Sequence, residues 1–291
     1  MKNKTIKDHS FLKKINDFSE LVMIKHSVFS LPFIFIAMLV AAEGWFGWKL
    51  FVLGTLAAVT ARNFAMGVNR YFDRDIDKLN PRTQGRPSVD GRVSHVQMLI
   101  FILGNAMLFI LIAYFINTLA LILSVPILLI LAVYTFFKRF SALAHLILGF
   151  SLGLSPIAGV VAVTGGINIW SIALAIAVMF WVAGFDLLYS LQDIDFDKAN
   201  ALHSIPSKFG IQKTLWIARL FHFLAILFWV FFVILANLGL WGQSAVLFSA
   251  MMLGYEHHIV NKDFNKIDKA FFTVNGYLGF VFLILIIMEV A

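Results

Sequence analysis

The chain has 291 residues, 60% of them hydrophobic and only 13% charged, with a mean hydropathy of +0.88 and a formal net charge of +7 at neutral pH. This composition excludes an ordinary soluble domain and dictates a polytopic membrane protein. The positive balance reads as topology and attraction to anionic lipid rather than nucleic-acid binding, and the lack of cysteine excludes disulfides, thiolate metal sites and cysteine nucleophiles.

The first 20 residues are polar and basic, with Lys2, Lys4, Lys7, Lys13 and Lys14, and lack the apolar centre of a cleavable signal peptide. The first span is therefore expected to act as its own targeting signal. Nine apolar segments follow at 21–43, 48–68, 95–115, 117–137, 141–163, 168–191, 214–236, 241–256 and 268–289, each near the roughly 20 residues that cross a bilayer. None alternates as a barrel strand does, and open sheet edges do not survive in lipid, so the fold class is all-α, with nine transmembrane helices. Pro32, Pro126 and Pro156 fall within spans, where they are expected to kink a helix or open room beside it.

Lys and Arg concentrate on one face. The amino-terminal arm, the Arg70–Arg92 connection, Lys138 with Arg139, Lys198–Lys213 and Lys262–Lys269 carry them, while the other face offers little beyond Lys49. The positive-inside rule then places the amino terminus and these loops in the cytoplasm and the carboxyl terminus outside.

Two acidic motifs break the apolar pattern at an offset of 120 positions, from Asp73 to Asp193. Asn69, Asp73 and Asp77 lie in NRYFDRDID; Tyr189, Asp193 and Asp197 lie in YSLQDIDFD. Spaced i, i+4, i+8, each trio forms one stripe if helix runs through it, with Arg62 and Asp186 two turns earlier on the same faces. The repeated offset suggests one domain over 1–291 built of two pseudo-repeated halves. Carboxylates gathered at span ends need cations, and hard oxygen donors point to Mg²⁺ carrying an anionic ligand, a diphosphate above all. Arg82, Arg86, Lys138 and Arg139 are donors suited to its oxygens, with Lys208 a weaker candidate. Asp75, Asp90 and Asp195 read as solvated.

The stretch NRYFDRDIDKLNPRTQGR at 69–86 resembles the N-x-x-x-D-x-x-x-D motif of the UbiA superfamily of intramembrane prenyltransferases, and DLLYSLQDIDFDKANALHSIPSKFG at 186–210 resembles its second acidic region. YTFFK at 134–138 is similar to its Y-x-x-x-K element, and KHSVFSLPF at 25–33 to its opening helix. The resemblance implies a nine-helix bundle around a central cavity, two Mg²⁺ ions, and transfer of a polyprenyl group from its diphosphate to an acceptor. It makes Asn69, Asp73, Asp77, Asp193 and Asp197 metal-site residues, has Tyr134, Lys138 and Arg86 contact the diphosphate, and lines the site with Tyr189 and Asp186. Catalysis would centre on Asp73, Asp193, Lys138 and Tyr134.

The segment ALHSIPSKFG is similar to a bacterial 4-hydroxybenzoate polyprenyltransferase-like subgroup that includes menaquinone-pathway enzymes, so the implied acceptor is 4-hydroxybenzoate or a dihydroxynaphthoate, at the bacterial inner membrane. DRDID also resembles haem O synthase, a farnesyl transferase, although Asp193 and Asp197 fit the quinone enzymes better. A cation transporter is the alternative of another class, but its carboxylates belong near the midplane on broken helices. Of the histidines, His203 and His26 are candidates for acceptor or diphosphate contact; His203 stands where many 4-hydroxybenzoate enzymes have lysine. His257 and His258 read as interfacial packing, and His9, His95, His145 and His222 form no metal constellation.

Overall fold

A computed structural model describes residues 13–23 and 31–291. Every regular element among them is helical. An amino-terminal helix, α1, covers 13–21. It is followed by α2 (Leu31–Ala42), α3 (Trp48–Phe72), α4 (Arg74–Leu79), α5 (His95–Ile116), α6 (Thr118–Val133), α7 (Ala144–Thr164), α8 (Ile169–Ser190), α9 (Ile194–Ala199), α10 (Ile205–Leu235), α11 (Leu240–Lys262) and α12 (Asn275–Val290).

Seven segments are long and apolar enough to cross a membrane: Trp48–Phe72, His95–Ile116, Thr118–Arg139, Ala144–Thr164, Ile169–Ala199, Ile205–Leu235 and Phe264–Val290. The expected nine reduce to these seven among the described residues, for two separate reasons. In the first predicted span only the 12 residues of α2 form a described helix, and 24–30, with Lys25 and His26, lie outside the described residues. The eighth predicted span forms α11, but Gln243, Glu256, His257 and His258 dilute its apolar character.

Burial ranks the helices. The span containing α8 has 72% of its apolar stretch buried, against 22% for that containing α6, so α8 is the central post and α6 faces lipid. Around α8, the side chains Phe33, Trp181, Trp229, Phe232 and Phe282 form a core with 2% exposure or less. The Trp181 indole is satisfied there by donating to Asn275 Oδ1 at 2.7 Å, as a buried polar atom must be.

Glycines let α7 approach α8 closely. A Cβ on Gly149 would lie 2.2 Å from the Met179 carbonyl oxygen, and one on Gly153 2.6 Å from that of Ala175, the close-packed small-residue seam of membrane helices. Gly149→Ala is expected to force these helices apart at a cost of about 1–3 kcal/mol, read as a lower melting temperature in detergent; an unchanged value would contradict the tight seam.

The connections sort to two ends. At one, Arg139 reaches Asp75, the His203 amide donates to the Lys138 carbonyl, and Gln192 donates to Asp268. These contacts gather the 73–94, 134–143, 191–204 and 262–268 segments on one face. Helix α1 docks there too, with Arg92 bonding Asp17 and Glu20 and Leu21 packing on Val93 and Met98. At the far end Asn117 caps α6 and reaches the Val161 carbonyl, and Glu289 accepts from the Gly239 and Gly242 amides.

Candidate active site

The two acidic motifs share an outline of a long helix followed by a six-residue helix, separated by Asp73 alone in the first and by a 3-10 turn over Leu191–Asp193 in the second. Asp73 separates α3 from α4 with φ −88 and ψ 4, and Asp193 precedes α9 with φ −103 and ψ 7. The continuous stripes expected from the i, i+4, i+8 spacing are thus interrupted at their centres. Helical bonds persist across the first break, from the Asp73 amide to Asn69 and from the Asp77 amide to Asp73, and Asp77 and Asp197 line one polar chamber with Asp73 and Asp193.

That chamber has a volume of about 330 Å³. The first motif supplies Asn69, Asp73 and Asp77, the second Asp186, Tyr189, Asp193 and Asp197, and Tyr134, Lys138, Arg82, Arg86 and His203 complete the lining. The walls touch. From the loop after the first motif, Arg82 donates to both oxygens of Asp193 at 2.5 and 3.0 Å, and Asn80 adds a bond of 3.1 Å. Arg82 also bonds the Tyr189 hydroxyl at 3.2 Å.

Asp73, Asp77 and Asp193 each have a cation against them. Lys138 Nζ stands 2.5 Å from Asp73, and Arg86 donates to Asp77 at 2.6 Å, while buried Arg70 approaches Asp77 at 3.9 Å. Asn69 donates to Asp73 at 2.6 Å. Asp73 and Asp77 are only 1% and 4% exposed, yet Asp73 Oδ1 and Asp77 Oδ2 have no hydrogen-bond partner. Burial raises the Asp73 carboxyl above its ordinary value, opposed by the Lys138 ammonium.

Two orphaned, buried, hard oxygens fit a divalent cation of the Mg²⁺ kind, which accepts one or two carboxylates and takes its remaining ligands from phosphate and water. Among the described residues no three carboxylates or imidazoles form a closed metal cage, and an ion shared with a diphosphate does not require one.

Some predicted residues lie elsewhere. Arg139 is outside the chamber lining, donating to Asp75 at 2.8 and 3.0 Å and to the Phe72 carbonyl, and it approaches Asp73 only at 3.7 Å. Arg62 lines the adjoining apolar cavity and donates to the carbonyls of Val22 and Met23. Lys208 sits over the Phe209 ring. Asp90 pairs with Arg92.

Sequence reasoning missed Asn80, Arg70 and His145. Asn80 had a visible signal in the N-P-R turn after Asp77. The other two depend on tertiary partners: Arg70 reaches Leu21, and His145 Nδ1 meets Asp186 Oδ2 at 2.7 Å across 41 positions.

Below the chamber lies a second cavity of about 230 Å³, sharing Met66, Tyr134, Leu148 and Asp186 with it. A third of about 300 Å³ shares Ile34 and Ala58 with the second and is lined almost wholly by apolar groups, reaching Ile116 and Ile167 near the far end. A charged head and a long greasy tail would find matching surroundings along this line.

The profile of the UbiA prenyltransferase family matches residues 30–285. The chain belongs to the UbiA prenyltransferase family. It is therefore a membrane-embedded transferase. A 4-hydroxybenzoate octaprenyltransferase of Janthinobacterium sp. (strain Marseille) is 28% identical over 247 residues, 84% of this chain and 85% of that one. The apo structure of a UbiA homologue from Aeropyrum pernix K1 has a TM-score of 0.83 at 30% identity, covering 92% of this chain and 99% of that one. A UbiA homologue from Archaeoglobus fulgidus bound to GPP and Mg²⁺ shares the fold, with a TM-score of 0.73 at 20% identity over 93% of this chain and 99% of that one. The UbiA fold thus extends over nearly the whole chain.

Proposed function

We propose that this UbiA-family chain transfers a polyprenyl group from polyprenyl diphosphate to an aromatic acid, 4-hydroxybenzoate or a dihydroxynaphthoate, in ubiquinone or menaquinone synthesis. The observation that carries the reading is the joined site: a chamber walled by both acidic motifs, opening into apolar cavities through Tyr134 and Asp186. The printed activity of the Janthinobacterium relative supports the acceptor class.

In this reading Asn69, Asp73 and Asp77 on one wall, and Asp193 and Asp197 on the other, hold two Mg²⁺ ions. Bound there, the ions supply Lewis-acid stabilisation of the departing diphosphate. Lys138, Arg86 and Arg82 exchange their carboxylate partners for phosphate oxygens, keeping charge balanced as the ligand enters. Tyr134 stands where the chamber meets the apolar cavity, and the apolar walls beneath keep water from the allylic cation until the acceptor ring attacks. The bundle in this reading has nine crossings, with α2 and α11 completing the seven, and two pseudo-repeated halves. Its chamber faces the cytoplasm at the bacterial inner membrane, because the basic loops surround it. Placement at one end of the bundle, rather than at its middle, favours this over cation transport.

Membranes holding the protein, given a prenyl diphosphate, either acceptor, and Mg²⁺ or a chelator, test the reading. Prenylated product that disappears with chelation is expected; cation flux without product would refute it. A pH dependence follows from Asp73. Because burial raises its carboxyl above the usual range, falling pH places a proton where the ion would bind. Mg²⁺ is therefore expected to raise the melting temperature more at neutral than at mildly acidic pH, and a pH-independent shift would contradict this.

A further inference from the structure

We propose that His145, held by Asp186, is the general base that takes the hydroxyl proton of the aromatic acceptor, an inference that rests on the prenyl-transfer reading above. His145 occupies the first turn of α7 and Asp186 the last two turns of α8, so only the fold brings them together. The Nδ1 to Oδ2 distance is 2.7 Å, and the histidine is 7% exposed. An ionised carboxylate only accepts, so the proton of the neutral ring sits on Nδ1 and the lone pair on Nε2. That Nε2 atom is buried and has no hydrogen-bond partner. Buried ring nitrogens are ordinarily satisfied, and one that is not calls for a ligand or a function.

The position suits a base. His145 lines the polar chamber, and Asp186 lines both the chamber and the apolar cavity below it. An acceptor ring seated at that boundary would have its hydroxyl beside the imidazole and a ring carbon toward the prenyl group. Asp73, Asp77 and Asp193 are engaged by Lys138, Arg86 or Arg82, and in the prenyl-transfer reading these three and Asp197 turn to the ions when the bases turn to phosphate. An aspartate that orients an imidazole and stabilises its protonated form is the established arrangement of a base dyad.

The step balances. Nε2 accepts the O–H proton, and the resulting phenolate is the nucleophile. A ring carbon conjugated to that oxygen bonds to C1 of the prenyl group as the C1–O bond breaks, and the electron pair leaves with the diphosphate. The dienone then gives its ring proton to a diphosphate oxygen and recovers a proton on oxygen from His145, which returns to neutral. Asp186 is a positioning residue in this scheme.

The test compares wild type, His145→Gln and Asp186→Asn on the hydroxyarene acid that wild type prenylates fastest and on the same acid with one fluorine beside the hydroxyl. The assay pH is chosen so that the fluorinated acid is largely ionised. With the parent acid, His145→Gln is expected to lower kcat/KM about 100-fold, and with the fluorinated acid no more than about tenfold, the pattern of a lost base. Asp186→Asn should show a smaller loss with the same dependence, while KM for prenyl diphosphate stays unchanged in both. Equal losses on the two acids, or no loss, overturn the proposal and leave prenyl transfer standing. If wild type prenylates no hydroxyarene acid, the transfer reading falls and this one with it. Should His145→Gln fail to fold, Asp186→Asn decides by the same comparison.

Discussion

Asp193→Asn is expected to reduce prenyl transfer by on the order of 10³-fold or more, since it removes a charge on which the facing wall and, in the proposed reading, a metal ion depend. Asp193 takes three hydrogen bonds from the opposite wall, two from Arg82 and one from Asn80. Neutralising it weakens the ion site and frees Arg82 to swing into the chamber. Asp90→Asn is the matched control: Asp90 is exposed, pairs with Arg92 and is not part of the chamber. Its turnover should remain within about twofold of wild type, as for most surface substitutions. Equal activity of the two variants in the prenyl-transfer assay would refute the site assignment.

Lys138→Met is expected to lower kcat/KM for prenyl diphosphate about 100-fold, because a positioned ammonium is lost where charge builds on the leaving group. The substitution also strips Asp73, which is 1% exposed, of its nearest cation at 2.5 Å, leaving only the Arg139 guanidinium at 3.7 Å as counter-charge. Mg²⁺ can supply that charge, so part of the loss should be recovered at high Mg²⁺. Lys138 is itself 31% exposed, so solvent softens the cost to stability. Arg139→Ala should cost less than Lys138→Met, since the hydrogen bonds of Arg139 go to Asp75 and Phe72 and it stands 3.7 Å from Asp73, against 2.5 Å for Lys138. A larger loss at Arg139 than at Lys138 would reverse the assignment of which base meets the ligand.

The helical class and the positions of most spans were readable because bilayer thickness fixes the length of an apolar run, and seven predicted segments coincide with described helices of that kind. The α11 segment shows where that signal weakens. Its polar residues include Glu256, fully buried against Asn275, and composition cannot distinguish a buried polar network from a solvated one. The acidic motifs were legible by spacing, but the breaks at Asp73 and Asp193 were not, since no proline or glycine marks either. Pairings between distant elements were equally hidden: nothing local distinguishes Arg139, which bonds Asp75, from Lys138, which reaches Asp73, or joins His145 to Asp186.

The most direct test of the central claim is the binding of Mn²⁺, as a spin-active substitute for Mg²⁺, to detergent-purified protein by electron paramagnetic resonance with and without geranyl diphosphate. Diphosphate-dependent uptake of about two ions per chain is expected, weakened by Asp73→Asn and again by Asp193→Asn. Binding that is absent with the diphosphate present, or unmoved by both substitutions, would contradict it.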